Sequence, residues 1–289
     1  IFKSTDGGMG WAPVENFAAR GFAQLKVAGD KLYAMGPQEG LWLSEDGGRS
    51  WSSLPGIEAH IPISAVTILP QGEIFLVNAG EGILRSSDGG ESWTNVCREG
   101  NIQTICVLPK KGKGWAGTAE GRLLMSHDGG QTWEAVASPC EAQEILTIVA
   151  SPTFEQDHTL YMGTAIAATG NQQARVALWR STNGGESWRQ LTTQVTTARW
   201  MDIEMPLGVQ EDVAAQAVVA TGPFCLRPLR RAKDVWISTR VDPKGANALG
   251  VVVLGEIDQG GQLVAVTGNG IFRSIDGGRT WQEFSEGVT

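Results

Sequence analysis

An aspartate that recurs at a fixed place in a repeated string is the first candidate for chemistry, because a carboxylate can serve as acid, base or nucleophile. Six strings of the pattern Ser-x-Asp-Gly-Gly-x-x-Trp run through the chain. They begin at Ser4, Ser44, Ser86, Ser126, Ser181 and Ser274 and end at Trp11, Trp51, Trp93, Trp133, Trp188 and Trp281. Their third positions are Asp6, Asp46, Asp88, Asp128, Asn183 and Asp276. Chemistry needs one site, and six equivalent groups spaced along the chain do not make one. The residue types suit a turn instead. An Asp or Asn oxygen accepts hydrogen bonds from turn amides. Two glycines supply positive φ at little steric cost. The Trp folds an apolar face back over the turn, with its N–H available to an acceptor. The box is therefore expected to be structural.

Two other groups could carry function. In Trp200-Met-Asp-Ile-Glu204, strand alternation puts Asp202 and Glu204 on one face, with Trp200 as an aromatic that a ligand could meet. Glu144, at the start of a neighbouring repeat, could complete a carboxylate pair of the kind that cleaves glycosidic bonds. The structural alternative is that these acids line a solvated channel. The second group is basic: Arg227, Arg230, Arg231 and Lys233, with Arg240 nearby. Such a cluster could recruit an acidic partner, or it could be a solvated loop.

Remaining signals are thin. His60, His127 and His158 fall in three different repeats, so a shared metal site is not expected. The Gly-Gly pairs sit in strand–strand turns and not before helices, so they do not form a phosphate loop. Cys97, Cys106, Cys140 and Cys225 contain no CxxC pair, which argues against structural zinc. Free thiols are expected, and no cofactor is implied.

The elements that must position these groups follow from the period. Successive box tryptophans lie 40, 42, 40 and 55 residues apart, and 93 residues then separate Trp188 from Trp281. Trp236 divides that gap into 48 and 45, so a degenerate copy sits at Arg227–Trp236. A short apolar strand precedes each box, and further strands lie upstream, as in Ala65-Val-Thr-Ile-Leu69 and Ile145-Leu-Thr-Ile-Val149. Several short strands per period of roughly 40–45 residues mark the blades of a β-propeller. The expected fold is all-β: a single β-propeller domain over residues 1–289, seven-bladed, with four-stranded antiparallel blades. Residues 1–16 align with the third and fourth strands of the last repeat and form an incomplete first blade. Complete blades are expected over 17–56, 57–100, 101–140, 141–193, 194–243 and 244–287. The alternative is six blades plus an extra hairpin. A half blade exposes strand edges and needs cover, from chain outside this sequence or from a partner.

Composition agrees with this class. The 289 residues include 38 Gly and 11 Trp but 2 Tyr, and no long stretch has helical apolar periodicity. A net charge of −8 and a pI near 5.0 exclude a nucleic-acid surface. No apolar run approaches the roughly 18–20 residues of a membrane span. The first residues do not read as a signal peptide, and a leader removed before Ile1 would leave the same sequence.

The box, its spacing and the strand before it resemble the Asp-box (BNR-repeat) β-propeller superfamily. Ser151-Pro-Thr-Phe-Glu-Gln-Asp-His-Thr-Leu-Tyr-Met-Gly-Thr164, leading to the box ending at Trp188, is similar to bacterial tandem-repeat members. The superfamily includes sialidases, xyloglucan-cleaving glycosidases, sortilin-type receptors and a photosystem II assembly factor with a basic patch. The resemblance covers essentially the whole chain and implies fold far more than activity. Sialidases use an arginine triad and a Tyr–Glu pair, and carry Arg-Ile-Pro before the first box. Here the nearest string is His60-Ile61-Pro62, and Tyr33 and Tyr161 fall in apparent second strands, so sialidase activity is not expected. Xyloglucan-type enzymes pair two propellers, which one propeller of this length does not provide. The resemblance leaves the compartment open, with a lean towards an extracytoplasmic or secreted protein. The expected function is a non-catalytic module that binds or scaffolds a protein or a carbohydrate ligand. The alternative is a glycoside hydrolase or lyase using channel carboxylates.

Overall fold

The computed structural model describes residues 1–5, 10, 12–14, 24–36, 40–55, 57, 62–78, 80–109, 112–206, 217–229, 232–255 and 261–284. The chain is an all-β β-propeller built from antiparallel sheets. Two compact units divide it, Ile1–Ser138 and Pro139–Thr289.

The first unit opens with a hairpin of β1 (Phe2–Lys3) and β2 (Ala12–Pro13). Blade 1 follows as β3 (Gln24–Ala28), β4 (Lys31–Gly36), β5 (Gly40–Ser44) and β6 (Ser52–Ser53). Blade 2 is β7 (Ile63–Ile68), β8 (Ile74–Asn78), β9 (Gly82–Ser86) and β10 (Thr94–Cys97). Blade 3 is β11 (Ile102–Val107), β12 (Gly114–Thr118), β13 (Leu123–Ser126) and β14 (Glu134–Val136). In the second unit, blade 4 is β15 (Glu144–Ala150), β16 (Leu160–Ile166), β17 (Arg175–Ser181) and β18 (Arg189–Val195), with the short helix α1 (Phe154–Asp157) between its first two strands. Blade 5 is β19 (Asp202–Glu204), β20 (Val218–Thr221), β21 (Phe224–Leu229) and β22 (Ala232–Arg240). Blade 6 is β23 (Ala248–Leu254), β24 (Gln262–Thr267), β25 (Gly270–Ser274) and β26 (Gln282–Glu283).

The expectation of seven blades is overturned. Among the described residues six sheets have four strands each, and the N-terminal pair stands apart as a two-stranded sheet. A blade needs the two inner strands that carry its buried apolar runs, and among the described residues β1 and β2 pair only with each other. The hairpin attaches to blade 1 through Lys3, whose Nζ donates to the Gly47 carbonyl at 2.6 Å.

Burial explains the strand types. The second strands β8, β12 and β20 are buried at every residue. They are packed on both faces, so they read as continuous apolar runs and not as alternation. The outer strands β6, β14 and β26 are mostly exposed. Apolar clusters join neighbouring blades within each unit. Phe75, Val77, Ile102, Ile105 and Leu124 join blades 2 and 3. Val218, Cys225, Val251, Leu263 and Phe272 join blades 5 and 6.

The inner strands carry a repeated irregularity. Register shifts by one residue near the start of β7, β11, β15 and β23. A bulge at this place bends the strand and turns its side chains towards a neighbour. Between blades 2 and 3, Ser64 Oγ donates to the Ile102 carbonyl at 3.0 Å and Thr67 Oγ1 to that of Ile105 at 2.8 Å.

The second glycine of a box needs both its φ and its lack of a side chain. Gly130 has φ +80°, and a Cβ there would lie 2.5 Å from Phe75 Cε1. Gly129 has φ +77°, but a Cβ would meet nothing nearer than Gly112 Cα at 3.8 Å. We therefore expect Gly129→Ala to cost about 1 kcal/mol from left-handed strain alone. Gly130→Ala should cost about 3 kcal/mol, since Phe75 must also move. Urea unfolding of the two variants measures the difference, and equal costs would refute this account of the box.

Candidate functional site

The box residues come first because they hold most of the repeated carboxylates. In blade 3, Ser126 Oγ donates to Asp128 Oδ1 at 2.9 Å and accepts the Gly130 amide at 2.8 Å. Asp128 Oδ1 also accepts the Gln131 and Thr132 amides at 3.0 and 2.9 Å. The boxes at Asp46 and Asp276 repeat this pattern, with Arg49 and Ser50, then Arg279 and Thr280, as amide donors. Asp88 accepts the Ser92 amide at 3.0 Å. Asn183 substitutes with one reversal. Its Oδ1 accepts the Ser187 amide at 3.0 Å, while its Nδ2 donates to Ser187 Oγ at 2.9 Å. Three of the tryptophans close the turn on itself: Trp93, Trp133 and Trp188 donate Nε1–H to the carbonyls of Gly90, Gly130 and Gly185. Trp281 instead donates to Thr239 Oγ1 of blade 5, at 3.4 Å. Trp51 begins the outer edge of its blade in the same place. Asp6 and Trp11 lie outside the described residues.

These bonds hold the carboxylates ionised. The Thr132 hydroxyl, followed by its amide, keeps Asp128 at about 2. At Asp276, burial pushes upward but is outweighed by Thr280 and its neighbours, which hold it at about 2. Asp46 and Asp88 lie far below the usual range, chiefly through the hydroxyls of Ser50 and Ser92.

The channel candidates are also engaged. Asp202, the first residue of β19, accepts the Val251 amide of blade 6 at 2.8 Å through Oδ2. Glu204 is half-buried two residues further on the same strand. Glu144 lies at the start of β15 in a bidentate pair with Arg199, whose Nε and Nη2 donate to Oε2 at 2.8 and 2.7 Å. Trp200 packs, partly buried, against the blade 5–6 cluster, and its carbonyl accepts the Thr221 hydroxyl at 3.0 Å. Tyr33 and Tyr161 are core residues, 3% and 1% exposed.

The basic segment divides. Arg227 lies on β21 and is buried at 7% exposure. Lys233 lies on β22. Arg230 and Arg231 fall outside the described residues. Arg240, at the end of β22, stands 5.8 Å over the Phe224 ring. All four cysteines are free thiols. Burial pushes the Cys225 thiol up to about 12, so it is inert. Among the described residues no group of His, Cys, Asp and Glu is placed to hold a metal ion, and no helix is long and apolar enough to cross a membrane.

Sequence reasoning passed over two features. Arg199 was not seen as the partner of Glu144, because 55 residues separate them. Asp242, fully buried, fastens the link from blade 5 to blade 6. It accepts the Lys244 and Ala246 amides at 2.7 and 3.2 Å and Asn269 Nδ2 at 2.7 Å. Burial would raise its pKa, and the amide bonds outweigh it and lower it. The signal was present in Asp242-Pro-Lys-Gly245, an ordinary turn signature.

Comparisons with known proteins place the fold. A family model described as Sortilin-Vps10 (sortilin, neurotensin receptor 3) matches residues 81–221. No curated protein matches the chain in sequence. Among solved structures, a GH74 enzyme from Niastella koreensis is similar, with TM-score 0.72 and 15% identity over 99% of this chain and 51% of that one. YCF48 bound to a D1 peptide gives TM-score 0.61 and 18% identity over 88% and 78% of the two chains. A streptogramin B lyase gives 0.64 and 14% over 93% and 84%. The chain spans about half the length of the GH74 enzymes it matches. It is a β-propeller similar to these, and identities this low establish the fold alone.

Two outcomes test these assignments. Because the folded pKa of Asp128 is depressed, its stabilisation is fully present above the unfolded value of about 4 and is lost as pH falls through about 2. Asp128→Asn keeps the acceptor and cannot titrate, so its melting temperature should fall less than that of the parent across this window. An identical acid profile would show that the box carboxylate does not report on folding. Asp202→Ala should cost about 1–3 kcal/mol in urea unfolding by stranding the Val251 amide, and Asp202→Asn should recover most of it.

Proposed function

We propose that the chain is a non-catalytic binding propeller, and that the surface around the degenerate box of blade 5 receives an acidic segment of a protein partner. One observation carries the first half. The carboxylates that could have done chemistry have structural partners: Asp202 holds the Val251 amide, Glu144 holds Arg199, and the box aspartates hold their own turns. A general acid or nucleophile must instead offer its oxygens to a substrate. The second half is supported by charge. Arg230, Arg231 and Lys233 are three cations within four residues of a chain with net charge −8. On such a background a local cationic patch steers an acidic partner and repels little of it. The fold neighbour YCF48, seen with a D1 peptide, supports peptide binding as a use of this architecture.

A synthetic library of acidic peptides, run beside a glycan array, tests the reading. Acidic peptides should bind in a salt-sensitive manner. Joint reversal of Arg230→Glu and Arg231→Glu should weaken binding by about tenfold or more. Glycan binding without peptide binding would replace the protein partner with a carbohydrate. Hydrolysis of a glycan that Asp202→Asn abolishes would overturn the non-catalytic reading.

A further inference from the structure

Arg227 occupies the place where the other boxes carry serine. Ser86, Ser126 and Ser181 pair with Ile74, Gly114 and Leu160, each the first residue of its second strand. Leu226 pairs with Val219, so Arg227 follows opposite Val218, the first residue of β20. The serines are buried hubs, each donating to its Asp or Asn and accepting a glycine amide. Arg227 reaches instead towards the next blade. Its stem runs beneath the box of blade 6, where Arg227 Cδ lies 3.5 Å from the point at which Gly278 would carry a Cβ.

The stem fits this place, but the guanidinium does not have what it needs there. Arg227 Nε is buried and has no hydrogen-bond partner among the described residues. Asp276, the acid of the adjoining turn, already accepts Ser274 Oγ, the Arg279 and Thr280 amides, and Thr280 Oγ1. Arg279 is exposed and next in sequence to Gly278, and its Nη1 donates to the Asp276 carbonyl at 3.1 Å. Burial first, then the charge of Arg279, lower the Arg227 pKa. A desolvated guanidinium with an open donor, its stem against the glycine that precedes Arg279, is what an oxyanion relieves, because an ionised acceptor satisfies both charge and N–H.

We propose that Arg227 and Arg279 form an oxyanion site between blades 5 and 6, completed by a carboxylate of the bound protein partner. The site rests on the reading of this surface as the acidic-peptide surface, and gives that surface a fixed anchor beside its diffuse charge. Arg230, Arg231 and Lys233 attract the segment, while Arg227 and Arg279 select the group that seats.

The test follows the Nε–Hε signals of the arginines by NMR in the full chain, with acetate and then inorganic phosphate as probes. Acetate should shift the Arg227 and Arg279 signals saturably, and an acidic peptide should displace it. Arg227→Met keeps the apolar stem and should retain the parent melting temperature while losing the acetate response. Arg279→Gln should weaken acetate binding by about tenfold. If acidic peptides bind the parent and Arg227→Met equally and acetate moves neither signal, the site is refuted and the peptide-binding reading stands. If acetate binds through both arginines and no peptide does, the site stands and the partner assignment falls. A response to phosphate but not to acetate overturns the carboxylate assignment.

Discussion

The amide of the second box glycine has to be satisfied inside the protein, and much of each blade follows from how that is done. The glycine turns the chain at positive φ and presses against the preceding blade, as Gly90 does on Leu54 and Gly130 on Phe75. Water cannot reach its N–H, and a buried amide without an acceptor costs about 1–3 kcal/mol. The buried serine four residues earlier supplies the acceptor. Its own proton then needs an acceptor, which the Asp provides, and the Asp gathers the amides of the far side of the turn. Ser, Asp and the second glycine are thus one hydrogen-bonded unit. The charge on the Asp strengthens the unit but is not needed to build it, since Asn183 makes the same turn with one bond reversed.

The inner strands meet a related constraint at the other edge of the blade. Four of them, β7, β11, β15 and β23, start with a bulge that leaves backbone groups out of register with the second strand. A side chain on the adjoining inner strand can then reach them, and Ser64 and Thr67 do so in the first unit. Asp202 belongs to the same set, as the acceptor of an amide just past the bulge of β23. From the sequence a fastening between blades could not be told from an acid for chemistry, because an isolated carboxylate in a strand pattern looks the same in either role.

Six boxes, the first four spaced by 40–42 residues, made the propeller legible, as period and turn chemistry are properties of short segments. The number of blades was not legible to the same depth. The alignment of Ile1-Phe2-Lys3-Ser4 with Ile271-Phe272-Arg273-Ser274 is real, but it concerns third strands, and a blade is defined by the inner strands they lean on. The site was less legible still. The bond between Arg199 and Glu144 and the approach of Arg227 to Gly278 join residues that are 55 and 51 apart. Such contacts exist only once neighbouring blades are in place. The decay of the box at Arg227 was visible, but the burial of that arginine was not, because an arginine in a run of cations reads as solvated.

That burial bears on where function can arise in a repeat protein. Where every copy of the box is intact, its polar groups satisfy one another and little is left to offer a ligand. An arginine at the place of the serine hub, Arg227, removes the acceptor and the hydroxyl donor together. The longer β22 and Thr239 take over part of the work. Thr239 Oγ1 donates to the Gly278 carbonyl at 2.7 Å and receives Trp281 Nε1, so blade 5 now serves the turn of blade 6. This joins the two blades while leaving a cation with an unmet Nε–H at their junction. A broken repeat that keeps its core but not its polar closure is the place in such a fold where a partner can supply what the chain no longer does.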